Sequence, residues 1–194
     1  MTEVHQTNNL RINFEQEAIP HLEILYNFAL RLTGRRRTAY KLLQETYVRA
    51  IRFYDMLDKS IDFKSWMFRI MRNAYFDKFS KKIKTDSTDY AEVENSLEKL
   101  NTAIDFVQLK NLIFKKLNED EISILIASLP DDFKMVIVLC DIIKFNYDEI
   151  ADFVDVPEGT VRSRIHRGRK MLFVKLYKYI IDEGYLKNDS HITE

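Results

Sequence analysis

Between Gly159 and Lys178 the chain carries Arg162, Arg164, Arg167, Arg169, Lys170, Lys175 and Lys178, and no Asp or Glu. Cations at this density suit a polyanion, because each neutralised phosphate releases condensed counterions. On a helix, Val161, Ile165 and Leu172 share one narrow apolar stripe. Ser163, His166, Arg167 and Lys170 lie opposite it, with Arg162 and Arg169 flanking. Thr160 falls in the first turn, where a hydroxyl and unpaired backbone N–H groups suit a phosphate. Arg and Ser on such a face can reach base edges in a DNA major groove. Arg164 leans toward the core side, which suits an internal ion pair or a phosphate contact rather than base reading.

A second cluster spans residues 62–84, DFKSWMFRIMRNAYFDKFSKKIK, with seven basic residues against Asp62 and Asp77. Phe63, Trp66, Met67, Ile70 and Ala74 form one face of a helix, and Phe68, Arg72, Tyr75, Phe79 and Lys82 another. Rings among cations suit unpaired bases, which stack while the cations hold the backbone. A helix apolar on two sides is also what burial on two sides requires. Taken alone, the residues favour burial.

The elements that must position these clusters are helical. Only four glycines and three prolines occur in 194 residues, against roughly 12% for the pair in average proteins. Pro20 precedes a stripe of Leu22, Leu25, Tyr26, Ala29 and Leu32, which Gly34 should end. A second helix is predicted over about 38–54, with Leu42, Leu43, Tyr47, Ala50 and Ile51 inward, and a third from Asp62 or Phe63 to about Lys84. Residues 85–121 hold nine acidic residues and four lysines, the pattern of a linker, with a loosely docked helix near 104–117. Helices follow at about 121–128, 131–143, 147–154 and 159–181. MVIVLCDII (135–143) has strand-like β-branched content, but Pro130 before Asp131 and Asp132 marks a helix start. Between 147–154 and 159–181, Asp155 and Val156 make the turn of a helix-turn-helix, with Asp155 in a left-handed conformation.

Several function classes are excluded or disfavoured. The single Cys140 allows no internal disulfide and no cysteine-based zinc site, and in an apolar run it reads as packing. His5, His21, His166 and His191 are scattered, with no metal-ligating pair and no Gly-rich phosphate loop, so no enzyme, metal, cofactor or small-molecule substrate is expected. No run approaches the ~20 apolar residues of a membrane span, and the polar start MTEVHQTNNL is not expected to be a secretion signal. The chain is expected to be cytoplasmic.

The run LPDDFKMVIVLCDIIKFNYDEIADFVDVPEGTVRSRIHRGRKML (129–172) resembles region 4 of an extracytoplasmic-function sigma factor of bacterial RNA polymerase. The Leu-Pro start, the Tyr-x-Glu-Ile-Ala helix and the Pro-x-Gly-Thr-Val-x-Ser-Arg-x-x-Arg run carry the likeness. Leu42-x-Gln44-Glu45-Thr46 and Trp66-x-x-x-Ile70-x-x-Asn73-x-x-x-Asp77 are similar to region 2 of the same family. The resemblance implies an all-α protein of two small helical domains, region 2 and region 4, joined by a flexible acidic linker. The divisions it implies are a tail 1–11, region 2 over 12–84, linker 85–118, region 4 over 119–182 and a tail 183–194.

It also implies partners and roles. Region 2 would dock on the polymerase clamp through Leu42, Gln44, Glu45, Tyr47 and Arg49. It would capture the opened −10 strand with Lys64, Ser65, Arg69, Arg72 and Asn73, on an exposed aromatic and basic face. Region 4 would dock on the polymerase flap and read the −35 duplex with Thr160, Arg162, Ser163, His166, Arg167 and Lys170. An anti-sigma factor is a further implied partner. Tyr40 and Lys41 replace a usual acidic pair, Ser80 a usual basic residue, and Asp155 the usual turn glycine. The alternative is a stand-alone helix-turn-helix regulator with an N-terminal sensing or dimerising half; it leaves residues 62–84 and Leu42–Glu45 without an explanation.

Overall fold

A computed structural model describes residues 11–80 and 117–185. The linker helix expected near 104–117, the lysines at 81, 82 and 84, and both tails fall outside these residues, apart from the edges at 117–118 and 183–185.

Every regular element described is helical. Helix α1 covers residues 11–18, and a 3-10 turn Ile19–His21 leads into α2, Leu22–Thr33. Gly34 ends α2 in the left-handed region at φ 71°, donating its N–H to the Leu30 carbonyl, and α3 runs Arg36–Phe53. Helix α4, Phe63–Lys78, is capped by the Asp62 carboxylate, which accepts from the Ser65 N–H at 2.8 Å. In the second half, α5 (Glu119–Ala127) opens on a reciprocal Asn118–Glu121 capping box. Helix α6, Asp131–Ile137, continues as a π-helical turn Val138–Ile143. Helix α7, Tyr147–Val154, has its own Asn146–Glu149 capping box, and α8 runs Glu158–Asp182. The stretch 135–143 is thus helical, with one widened turn that its residue pattern does not announce.

Helix α1 was not expected. It buries Phe14 and Ala18 one turn apart and pairs Arg11 with Glu15, a spacing the sequence does carry. Phe14 packs edge-on to Tyr47 and Tyr54. The core of the first half gathers Leu25, Phe28, Ala29, Leu32, Ala39, Leu42, Ala50, Met67 and Met71. Trp66 is half-buried against Phe63, ring centroids 5.6 Å apart. Ile51, expected inward, is instead 42% exposed, and Thr46 takes an inward place, its hydroxyl donating to the Leu42 carbonyl.

The two halves pack against each other, and one hydrophobic cluster runs through both. The Arg31 guanidinium donates to the Glu119 carbonyl (2.9 Å) and to Ser123 Oγ (2.6 Å). Arg36 pairs with Asp120 at 3.1 Å. A Cβ on Gly34 would come within 2.7 Å of the Ala127 Cβ and 3.3 Å of the Ile124 Cα. Gly34 is therefore required twice, by its φ and by the close passage of α5.

This packing corrects one expectation. Phe68 and Tyr75, placed on an exposed face of α4, are 0% and 2% exposed. Phe68 lies between Phe28 of its own half (5.0 Å) and Phe145 of the other (5.6 Å). Burying such a ring contributes roughly 2–3 kcal/mol, and the second half supplies the cover.

Candidate nucleic-acid interface

Helices α7 and α8 are joined at Asp155, whose φ of 57° and ψ of 51° are left-handed, as the turn reading required. Val161, Ile165, Gly168 and Met171 point inward from α8. At Gly168 a Cβ would stand 2.9 Å from Ile137 Cγ1, so α8 lies close on α6. This close seat fixes the outward row. Arg162, Ser163, His166 and Arg167 are exposed, and Thr160 and Lys170 half-exposed. Thr160, Ser163, Arg164 and Arg167 line an open cavity of about 430 Å³ with Asp132, Phe133 and Gly159.

The cations of α8 divide by partner. Arg164 reaches back to Asp132 at 3.2 Å, the internal ion pair its position suggested. Arg169 pairs with Asp141 of the π turn, which holds the guanidinium in its charged form. Its second nitrogen lies 3.7 Å from Cys140 Sγ; burial pushes that thiol's pKa up. Arg162 pairs with Glu158 one turn back at 2.8 Å and sits 5.6 Å over the Tyr147 ring. Such an exposed pair contributes little, so a phosphate can displace it.

The five residues expected to capture a strand do not share one environment. Arg69 and Asn73 are exposed one turn apart on α4. Ser65 is tied up in the Asp62 cap; its backbone N–H holds the Asp62 carboxyl below the usual range against burial, which acts to raise it. Lys64 lies 5.8 Å from the ring centre of Phe145, and Arg72 5.8 Å from those of Phe76 and Phe153. Phe145 and Phe153 belong to the second half. Arg72 Nε is buried with no hydrogen-bond partner. Arg69 faces a cavity of about 600 Å³ whose other walls are Ala151, Asp152, Asp155, Val156, Pro157 and Glu158.

The residues expected at a polymerase surface also separate. Leu42 is 0% exposed, so its side chain is core and cannot meet a partner. Tyr47 donates its hydroxyl to the Ala18 carbonyl at 2.9 Å. Glu45 accepts from Lys78 and Arg49, both at 2.8 Å, and these hydrogen bonds, Lys78 first, lower its pKa. Arg49 also reaches Asp77 at 2.6 Å. These pairs knit α3 to α4. Gln44 stands exposed, on a row with Tyr40, Lys41, Val48 and Ile51. The row's period of three and four is present in the sequence, although Ile51 reads there as an inward residue.

Among the described residues no group of His, Cys, Asp or Glu is placed to hold a metal ion. No helix among them is long and apolar enough to cross a membrane.

Comparison with known proteins follows the same division. Residues 20–85 match the family model for Sigma-70 region 2, and residues 120–172 that for Sigma-70, region 4. The ECF RNA polymerase sigma factor SigE of Mycolicibacterium smegmatis is 31% identical over 164 residues, covering 82% of this chain and 60% of that protein. SigW of Bacillus subtilis is 31% identical over 160 residues, covering 76% of this chain and 80% of its own length. Among solved structures, the sigma factor RpoE of Bartonella quintana, in complex with the anti-sigma factor NepR, superimposes with a TM-score of 0.60. That match has 25% identity and covers 86% of this chain and 97% of RpoE. CnrH, in complex with the cytosolic domain of CnrY, shares the fold at a TM-score of 0.57 and 20% identity, covering 93% of this chain and 94% of its own. With an outward cationic row on a helix-turn-helix, a basic first-half helix and both conserved regions matched in order, the chain belongs to the extracytoplasmic-function sigma factors of RNA polymerase.

Proposed function

We propose that this sigma factor reads a −35 element as duplex with α8 and captures an opened −10 strand with α4. The observation that carries the reading is the exposed row Arg162, Ser163, His166 and Arg167 on a helix seated by Gly168 and aimed by the Asp155 turn. Thr160 and Lys170 border that row and serve phosphates. On α4, Arg69 and Asn73 are the accessible members of the strand-capture set, which Lys64, Ser65 and Arg72 complete. The exposed row Tyr40, Lys41, Gln44, Val48 and Ile51 of α3 is the surface offered to the polymerase clamp. Glu45, Tyr47 and Arg49 hold that surface in shape, and Leu42 supports it from the core.

On this reading residues 12–84 and 119–182 are the two working domains, residues 85–118 the connection, and 1–11 and 183–194 tails. Sigma factors are initiation factors, and this chain is taken to carry no catalysis of its own. It works in the cytoplasm on core polymerase and promoter DNA. An anti-sigma partner is supported by the solved relative RpoE, which is held by the anti-sigma factor NepR.

Run-off transcription tests this. Core RNA polymerase from the source organism, given the protein and a genomic promoter pool, should initiate at a small set of sites sharing −35 and −10 elements. Arg167→Ala should cost ~1–3 kcal/mol at the −35 element and relax selection at one position. If core gains no initiation and the protein alone footprints duplex DNA, it acts as a free-standing regulator instead.

A further inference from the structure

We infer that Glu158 determines specificity at the −35 element: its carboxylate accepts from the N4 amino group of a cytosine whose paired guanine Arg162 meets. The inference rests on the assignment of α8 to −35 reading and names a base that this helix selects.

Glu158 stands where DNA phosphates would repel it. It is the first residue of α8, and no other Asp or Glu occurs on that helix before Asp182. Arg162 and His166 follow it one and two turns on, about 40° and about 80° round the helix. All three are exposed. Glu158 is thus the end member of the row that faces DNA, and a carboxylate gains there only by meeting a donor. N-terminal residues of a recognition helix reach base edges, so the donor at hand belongs to a base.

The major groove offers amino donors at cytosine N4 and adenine N6. Adenine sets its N7 acceptor beside N6, which opposes a carboxylate. A C·G pair sets the guanine O6 and N7 acceptors beside the cytosine N4 donor. A carboxylate next to a guanidinium matches that edge, acceptor to donor and donor to acceptor. The structure holds such a pair ready. Arg162 Nη2 donates to Glu158 Oε1 at 2.8 Å, and the guanidinium is steadied from α7 by the Tyr147 ring, 5.6 Å away. A carboxylate that accepts one such bond keeps lone pairs for a base. The side chains are 46% and 69% exposed, so neither has to be uncovered before it binds.

A carboxylate in the first turn also favours the helix as a charge. Charge alone would be served equally by Asp and would select no base, so reach tells the two roles apart.

The test uses the holoenzyme. A promoter found by run-off transcription is randomised over its −35 element, and the transcribed templates are sequenced against the input. The parent should enrich cytosine at one position about tenfold over the other bases. Glu158→Ala should level that position. Glu158→Asp keeps the charge but withdraws the carboxylate by one methylene; it should level the position too, with thermal unfolding unchanged. Glu158→Gln should shift the preference toward adenine, whose N6 and N7 suit a side-chain amide. A profile that all three variants leave unchanged overturns the inference. So does a loss of transcript spread evenly over all sequences, the mark of a helix-start charge. Arg167→Ala, run in parallel, separates this inference from the −35 assignment. If Arg167→Ala relaxes a position and the Glu158 variants do not, only the role of Glu158 has failed. If no variant alters the profile, reading by α8 has failed and Glu158 with it.

Discussion

Lys134 is 3% exposed, and a buried ammonium survives only with charged and polar partners around it. Asp131, Tyr75 and their hydrogen bonds supply them. Burial pushes the Asp131 carboxyl up, but hydrogen bonds from Lys134, Ser80 and Tyr75 outweigh it and leave the pKa below the usual carboxylate range. Burial, then the acceptor Asp131, drives the Tyr75 phenol far above its ordinary value. Lys134→Met should cost up to ~3 kcal/mol in thermal unfolding, since it strands a carboxylate at the seam. A carboxyl depressed on folding favours the folded state above its unfolded pKa, and the advantage drains as pH falls through the lower folded value. Urea unfolding should therefore lose stability from about pH 5 downward, and Asp131→Asn should flatten that acid limb. A limb of equal slope in the variant would mean that other carboxylates set it.

Among elements, the helix-turn-helix was the most legible in the sequence. Asp155 turns left-handed because two apolar stripes of helical period meet with only Asp155, Val156 and Pro157 between their helices. The same geometry makes a prediction. An L-residue with a Cβ is strained at φ 57°, so Asp155→Gly should raise stability by ~0.5–1 kcal/mol in thermal unfolding. Arg164 was legible too, because its lean toward the core left an internal carboxylate as the natural partner, and Asp132 is there. Helix α4 was half legible. The wheel separated its two faces, but could not say what covers the second, because Phe145 and Phe153 lie some seventy to eighty positions further along the chain. Helix α1 hid among polar residues, with Phe14 and Ala18 as its only buried apolar residues and Ile12 exposed. The π turn was not legible, since one extra residue in a turn leaves no mark on composition.

For the whole molecule, a formal net charge of zero conceals segregation: residues 159–178 of α8 carry seven cations and no Asp or Glu, and the span 85–121 is strongly acidic. Binding to −35 duplex should accordingly weaken steeply with salt. Lys170→Gln should reduce the log–log salt slope by about 1 while leaving sequence preference unchanged. A change in preference instead would move Lys170 from phosphate contact to base reading. The same global view explains why no residue-level reading anticipated the seam. Its parts, Arg31 with Ser123 and Tyr75 with Asp131, are separated by 92 and 56 positions.

The single tryptophan of the chain, Trp66, lies in the first half, while helices fill both. Its emission is thus an optical probe of one half, and far-ultraviolet dichroism a probe of the two together. Because one apolar cluster spans the seam, the two signals should trace a single coincident urea transition. Ala127→Arg should split them into two, turning a cooperative molecule into a pair of loosely tethered folding units. Split curves in the parent protein would mean that the seam carries too little energy to couple the halves.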